Sequence, residues 1–168
     1  MRISNIPLLA CAFVVGAILG CGKSETLTPS AEGKAFRLAK EPSGAKGVKV
    51  ARADAKTDEE VTLVGRIGGD ANPWVEGQAA FMLVDSALKP CPKEEGCPTP
   101  WDYCCDTDLL TNSKAMVKVV DASGKTVATD ARKLLGIKEL QTVVIHGRAK
   151  RDDTGNLTVL ADGIYVRN

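Results

Sequence analysis

The sequence is short of the residues on which many catalytic and metal-binding motifs depend. A single histidine, His146, occurs in 168 residues, so Ser-His and Cys-His catalytic pairs and two-histidine metal sites would all need this one residue. Aromatic residues make up 4% of the chain, whereas proteins that bind single-stranded nucleic acid stack bases on such side chains. We therefore expect a protein that is not an enzyme and that requires no cofactor.

The two signs of charge are nearly balanced. The chain has 22 basic and 21 acidic side chains, and loss of a leader that contains Arg2 would leave 21 of each. A neutral protein has no general electrostatic attraction to nucleic acid. Nucleic acid is therefore not an expected partner.

The chain also lacks an apolar run long enough to span a membrane, which takes about 20 residues. The run from Ile6 to Leu19 is shorter, follows Arg2 and has the form of a secretory signal. The next residues, "ILGC", resemble the bacterial lipoprotein signal, in which a small residue precedes the modified cysteine. The resemblance implies a signal peptide over residues 1–20, lipid on Cys21, and export to a bacterial membrane that faces the periplasm or the cell surface.

Residues 21–42 are polar and contain two prolines, with no sustained apolar period. This composition predicts a lipidated N-terminus followed by a flexible tether. The segment 43–56 has Val48, Ala51 and Ala55 at helical spacing, and Ser43 could cap a short helix there.

From Glu59 onward, alternation of apolar and polar residues predicts strands. Five main strands are expected: 59–69, 77–87, a third that begins a hairpin over 115–130 with a turn at 122–124, and two within 141–168 that join at 153–156. A short helix over 131–137 separates the third strand from the fourth. The domain therefore covers residues 43–168 and belongs to the all-β class.

This order of elements resembles an OB-fold, a small five-stranded β-barrel. The stretches "VTLVGRIGG", "FMLVD" and "VVIHGRAKRDDTGNLTVLADGIYV" are similar to the strands of OB domains. The resemblance implies bends at Gly65 and Gly147 and pairing of the first strand with the fourth. The whole chain also resembles a group of bacterial lipoproteins with a "CPTPWDYCC" insertion before the third strand, which ordinary OB domains lack.

We call residues 87–110 the cysteine insertion. It contains Cys91, Cys97, Cys104 and Cys105, an even number that predicts two disulfides in an oxidising compartment. Adjacent cysteines pair poorly with each other, which leaves Cys91–Cys104 with Cys97–Cys105, or Cys91–Cys105 with Cys97–Cys104. An alternative is a zinc or copper(I) site, although the spacing lacks paired C-x-x-C motifs. A thiol-redox site is the third alternative.

Several other side chains are candidates for a binding surface. Trp74, Trp101 and Tyr103 lie in loops, where exposed aromatic residues commonly anchor interfaces, although Trp101 could instead fill the end of the barrel. A basic patch is expected from residues on two neighbouring strands, namely Arg66, Arg148, Lys150 and Arg151, of which the first three are candidates for the binding surface. His146 is predicted to point outward.

These features favour a membrane-anchored envelope lipoprotein that acts as a non-enzymatic binding module for another envelope component. Metal handling, with copper or zinc, or thiol-redox chemistry at the four cysteines is the alternative function. Binding of an oligosaccharide or a nucleic acid by the OB domain is a second alternative.

Overall fold

The structure is a computed structural model that describes residues 27–167. The predicted signal peptide and the lipidation site at Cys21 lie outside the described residues. Within residues 27–167, no helix has the length and apolar character that crossing a bilayer requires.

The regular structure of residues 27–167 is mainly one sheet of six strands, with a few short helices, which confirms the all-β class. The strands are β1 (Lys46–Gly47), β2 (Glu60–Ile67), β3 (Ala80–Val84), β4 (Lys114–Val119), β5 (Thr142–Arg151) and β6 (Leu157–Val166). The helices are α1 (Val48–Asp54), α2 (Thr107–Leu110) and α3 (Ala131–Leu135), with 3-10 helices at Gly33–Phe36, Lys93–Glu95 and Cys104–Asp106.

The strands follow the spatial order β1-β2-β3-β4-β6-β5, and β5 pairs in addition with β2. The β2–β5 ladder is antiparallel and places Thr62 opposite His146. The β4–β6 and β1–β2 ladders are parallel, and the other ladders are antiparallel. The predicted pairing of the first main strand, β2, with the fourth, β5, is confirmed.

Alternation of side chains along the strands builds the core, because successive residues point to opposite faces of a sheet. Leu63 and Ile67 of β2 and Phe81 of β3 are fully buried on the inner face, where Leu134 and Leu135 of α3 join them. The core therefore lies between the inner face of the sheet and the short helices.

Two glycines allow close contact between strands. The β5–β6 register shifts between His146 and Gly147, and a Cβ at Gly147 would lie 2.2 Å from the carbonyl oxygen of Leu160. A Cβ at Gly65 would lie 2.6 Å from the carbonyl oxygen of Val84. The predicted irregularity at Gly147 is confirmed, and at Gly65 the glycine lets β2 and β3 approach each other.

Two predicted elements are shorter than expected. The first helix begins at Val48 instead of just after Ser43, because Lys46 and Gly47 pair with β2 as a strand. In the hairpin expected over 115–130, the second arm is reduced to one bridge between Val120 and Thr126.

Residues 27–42, which we call the N-terminal arm, differ from the flexible tether predicted for this segment. The Leu38 amide donates to the Ile164 carbonyl oxygen at 2.9 Å, and the Arg37 guanidinium donates to the Leu135 carbonyl oxygen at 2.7 Å. The buried Gly33 packs directly against Leu134 of α3. Because these contacts use two main-chain groups and one guanidinium and follow no apolar period, the composition of the segment did not reveal them.

The arm contacts predict that Gly33→Ala will detach the arm. Its new Cβ would lie 1.6 Å from the Leu134 carbonyl oxygen, and overpacking of this kind destabilises a protein by about 1–3 kcal/mol. Hydrogen exchange should show lost protection at the Leu38 amide while the β5 amides remain protected. Lys34→Ala, at an exposed position of the same 3-10 helix, is the control. Rapid exchange at Leu38 in the unaltered protein would contradict the arm contacts.

Candidate metal centre

The cysteine insertion leaves the sheet at the end of β3 and returns at β4, and Asp85 fixes its base. One carboxylate oxygen of Asp85 accepts from the Lys49 amide of α1 at 2.8 Å, and the other accepts from the Ala87 amide at 2.9 Å. The Asp85 amide donates to the Ser113 carbonyl oxygen at 2.8 Å. The two ends of the insertion are therefore held together beside the first turn of α1.

Tyr103 anchors the middle of the insertion to the sheet. Its side chain is fully buried and packs with Val84, Leu88 and Leu110. These residues form a small cluster that is separate from the main core. The Arg66 guanidinium of β2 donates to the Tyr103 hydroxyl at 3.3 Å and to the Leu88 carbonyl oxygen at 3.0 Å. Burial raises the pKa of the Tyr103 phenol, and the bond from Arg66 opposes part of that rise.

The prediction of Tyr103 as a surface residue is therefore wrong, and Tyr103, not Trp101, is the fully buried aromatic residue of the insertion. Trp101 is half-buried, and its indole nitrogen donates to the Ala71 carbonyl oxygen at 3.1 Å. The Trp101 carbonyl oxygen accepts from the Gly69 amide at 2.7 Å. A Cβ at Gly68 would lie 2.5 Å from the same oxygen, so the main chain of the insertion can approach β2 only because this position is a glycine.

A tight turn after Tyr103 directs the adjacent cysteines toward the other two. Tyr103 has a left-handed backbone with φ 57°, and the 3-10 helix Cys104–Asp106 follows directly. The Asp102 carboxylate accepts from the Cys104 amide at 2.9 Å and from the Thr99 hydroxyl at 2.7 Å. These bonds fix the turn without involving a sulfur atom.

The structure brings all four predicted cysteines into one cluster. The Sγ atom of Cys91 lies 3.6 Å from those of both Cys104 and Cys105, and the Cys97–Cys104 distance is 3.9 Å. The adjacent Cys104 and Cys105 sulfurs are 4.0 Å apart, and all four lie within 4.8 Å of one another. A tetrahedral ion with metal–sulfur bonds of about 2.3 Å holds its ligands about 3.8 Å apart. The cluster therefore has the dimensions of a four-thiolate site.

These distances are well above the roughly 2.05 Å of a disulfide bond. In the described part of the chain, Cys91, Cys97, Cys104 and Cys105 are all present as thiols. The structure thus shows a compact cluster of four sulfur atoms, and the two predicted disulfides are not formed within it.

The four sulfurs differ in exposure and in acidity. Cys91 is 5% exposed, whereas Cys104 and Cys105 face solvent and Cys97 is intermediate.

Burial alone would raise the pKa of the Cys91 thiol, but hydrogen bonds from Cys104 and Cys105 outweigh the effect of burial and lower this pKa. Hydrogen bonds to Cys91 and Asp102 raise the pKa of Cys104 to about 12. The pKa of Cys105 is also raised, because its thiol donates to the Glu95 carboxylate at 3.1 Å. Among these four thiols, negative charge is therefore most favourable on Cys91.

Trp74, the third aromatic candidate for the binding surface, is buried. Its indole nitrogen donates to the Glu139 carboxylate at 2.5 Å, and the Arg132 guanidinium lies 5.5 Å from the centre of the ring. Its packing against Phe81 explains the burial, since the two ring centres are 5.9 Å apart. Trp74 is therefore a structural residue, which corrects the prediction.

The predicted basic patch does not form. In the β2–β5 ladder Arg66 pairs with Thr142, whereas Arg148 pairs with Glu60, so the two arginines lie at opposite ends of the ladder, about 20 Å apart by strand rise. Arg66 is directed into the insertion, whereas Arg148 and its neighbour Lys150 are exposed. The register of the strands, which sequence alone did not supply, separates these charges.

His146 has partners that the sequence did not indicate. Its Nδ1 atom lies 2.6 Å from the Asp162 carboxylate, and its Nε2 atom lies 3.5 Å from Glu60. These carboxylates, chiefly Asp162, raise the pKa of His146. The bulge at His146 and Gly147 leaves Asp162 without a partner in the ladder, and this extra residue brings its carboxylate to the histidine.

A cavity of about 400 Å³ lies on the face of β3, β4 and β6, beside the turn that joins β5 to β6. Its lining consists of Arg52, Met82, Lys114, Ala115, Met116, Lys118, Asp152, Asn156, Leu157 and Thr158. None of these side chains is aromatic, so the cavity offers no platform on which a base could stack. The cysteine cluster is therefore the more specific candidate site.

The sequence matches no protein-family model and no curated protein. The candidate function therefore depends on the geometry of the site.

The hydrogen bonds of Arg66 predict that Arg66→Met will loosen the insertion while retaining much of the side-chain volume. The substitution leaves the buried Tyr103 hydroxyl without its donor, and an unsatisfied buried polar group costs about 1–3 kcal/mol. Chemical denaturation should show this loss, and amides of the insertion should exchange faster. Arg148→Met, at an exposed position of β5, is the matched control. Equal effects of the two substitutions would contradict the anchoring role of Arg66.

Proposed function

We propose that the four cysteines of the insertion bind one soft cation, either Zn²⁺ or Cu⁺, as thiolates. The observation that carries this proposal is the set of sulfur–sulfur distances, four of which are 3.6–4.0 Å and all of which are within 4.8 Å. Four sulfurs that are mutual neighbours suit one central ion, whereas two disulfides would divide them into two close pairs. Thiolate ligands favour soft ions over Mg²⁺ or Ca²⁺.

The surroundings of the cluster support binding because they position the sulfurs without help from an ion. Tyr103, Asp85 and Asp102 fix the insertion through packing and hydrogen bonds that involve no sulfur. Such preorganisation reduces the entropy lost when a ligand is bound. Of the two ions we favour Zn²⁺, since four tetrahedral thiolates are its usual structural ligand set.

Because two of the four cysteines are exposed to solvent, we expect the bound ion to exchange with ions in solution. Structural zinc sites are closed, and their ions contribute directly to folding. Here Cys104 and Cys105 face solvent, and the sheet has a core of its own. We therefore infer that the protein binds or buffers metal and that its folding does not depend on the ion.

We further infer that strands β2–β6 form a closed barrel of the OB type. Two observations support this inference: β5 pairs back onto β2, and β4 runs parallel to β6. The position of α3 between β4 and β5 in the chain also agrees with the OB order. Such a barrel would serve as a rigid, non-enzymatic support for the insertion.

We place this domain outside the cytoplasm, as a lipoprotein anchored through Cys21 and able to present its metal to another envelope component. The "ILGC" motif after a short apolar run supports this location. Anchoring by acyl chains would hold the protein stably at the membrane if two or more chains are attached.

The metal proposal predicts that reduced protein will bind one equivalent of Zn²⁺ or Co²⁺ per chain. Co²⁺ should give thiolate-to-metal charge-transfer bands and the visible bands of a tetrahedral site. Cys97→Ser and Cys105→Ser should each weaken binding by at least about tenfold, which corresponds to about 1.4 kcal/mol, whereas Thr111→Ser, at an exposed position outside the cluster, should not. Fully reduced protein that binds neither ion would refute the proposal.

The anchor proposal predicts that Cys21→Ser will abolish acyl incorporation and release the protein from membranes. Metabolic labelling with a fatty acid, followed by membrane fractionation, measures both effects. The cysteine-cluster variants provide the control, since they should retain the lipid. A Cys21→Ser protein that still carried labelled lipid would exclude this site.

A further inference from the structure

We propose that the cysteine cluster is also an oxidation switch, in which formation of two defined disulfides releases the bound ion. This inference rests on the proposed metal binding and adds its regulation. It concerns the same four sulfurs in two states, metal-bound thiolate and disulfide, within one folded protein.

The geometry assigns the two disulfides. The Sγ atoms of Cys91 and Cys105 are 3.6 Å apart, and those of Cys97 and Cys104 are 3.9 Å apart. Each pair must close by about 1.5–2 Å to reach bonding distance. Cys104 and Cys105 are 4.0 Å apart, but adjacent residues disfavour the bond. In the alternative arrangement, Cys91 with Cys104 and Cys97 with Cys105, only the first pair has its sulfurs in direct contact.

Exposure determines the order in which the thiols react. A small-molecule disulfide can reach Cys104 and Cys105, which face solvent, but not Cys91, which is 5% exposed. In the zinc-loaded protein the ion holds all four sulfurs as thiolates. Cys104 and Cys105 are therefore the attacking groups because they are the exposed ligands, although their thiols ionise poorly without an ion. Cys91, in contact with Cys105, is placed to complete the first disulfide, and Cys97 is placed to complete the second at Cys104.

Each disulfide forms by two exchange steps. The Cys105 thiolate attacks one sulfur of the small disulfide, forming a mixed disulfide and expelling one small thiolate. The Cys91 thiolate then attacks the Sγ atom of Cys105, forming the Cys91–Cys105 bond and expelling the second small thiolate. The protein pair loses two electrons, and the small disulfide gains them. A second equivalent reacts in the same way at Cys104 and Cys97, and the ion leaves with its charge unchanged because its thiolate ligands are consumed.

The rest of the insertion can stay in place during this change. Its anchors are the buried Tyr103, the Asp85 carboxylate and the bond from Gly69 to the Trp101 carbonyl oxygen. None of them contains a sulfur atom. The two states therefore share one scaffold, and the sulfurs need to move only within the cluster.

The test uses protein isolated from the envelope, reduced, loaded with Zn²⁺ and then treated with glutathione disulfide. A chromogenic chelator measures released zinc, and peptide mapping by mass spectrometry identifies the disulfides. We expect release of one zinc per chain, with Cys91–Cys105 and Cys97–Cys104 bonds, and recovery of binding after reduction. Cys91→Ser should retain a mixed glutathione disulfide at Cys105, because the thiol that completes the exchange is missing.

The outcomes separate the switch from the proposed function. Reduced protein that binds no zinc would end both, although mapping of the oxidised protein would still test the pairing. Protein that binds zinc and retains it after oxidant treatment, with all four thiols unmodified, would overturn the switch alone. Release of zinc with Cys91–Cys104 and Cys97–Cys105 bonds would overturn the assigned pairing.

Discussion

The burial of Tyr103 against β2 and β3 is the interaction on which the geometry of the cysteine cluster depends. A left-handed backbone at a residue other than glycine costs about 1–2 kcal/mol, and full burial of a large side chain returns about 1.5–3 kcal/mol. The tight turn that begins at Tyr103 is therefore tolerated because its side chain is buried. The Arg66 guanidinium donates a hydrogen bond to the buried Tyr103 hydroxyl. A residue of the sheet thus fixes the turn that positions the exposed Cys104 and Cys105 thiols.

Sequence patterns predicted the features that repeat along a strand. Alternating apolar residues located the main strands, and Gly147 marked the irregularity between β5 and β6. The four cysteines were identified by their proximity in the chain. Their arrangement as one cluster was only the alternative to two disulfides, because it depends on the turn at Tyr103 and on the contact between Trp101 and Gly69, which the sequence does not show.

The other incorrect predictions share one physical cause: the contacts that decide them join segments distant in the chain. The register of β2 against β5 separates Arg66 from Arg148. The N-terminal arm has no apolar period, yet the amides of Ser30 and Leu38 bond to α3 and β6. Burial of an aromatic residue in a loop is equally nonlocal: Trp101 and Tyr103 are two positions apart, and only Tyr103 is fully enclosed.

The docked arm has a consequence for how a partner could meet this protein. With lipid on Cys21 as proposed, only residues 22–26 separate the anchor from the arm, and the six Cα–Cα steps from Cys21 to Leu27 span at most about 20 Å when fully extended. The domain would remain close to the bilayer surface and could not search the surrounding compartment. Encounters would then occur by lateral diffusion, and a partner that accepted the ion would itself have to reside at, or travel to, the same membrane.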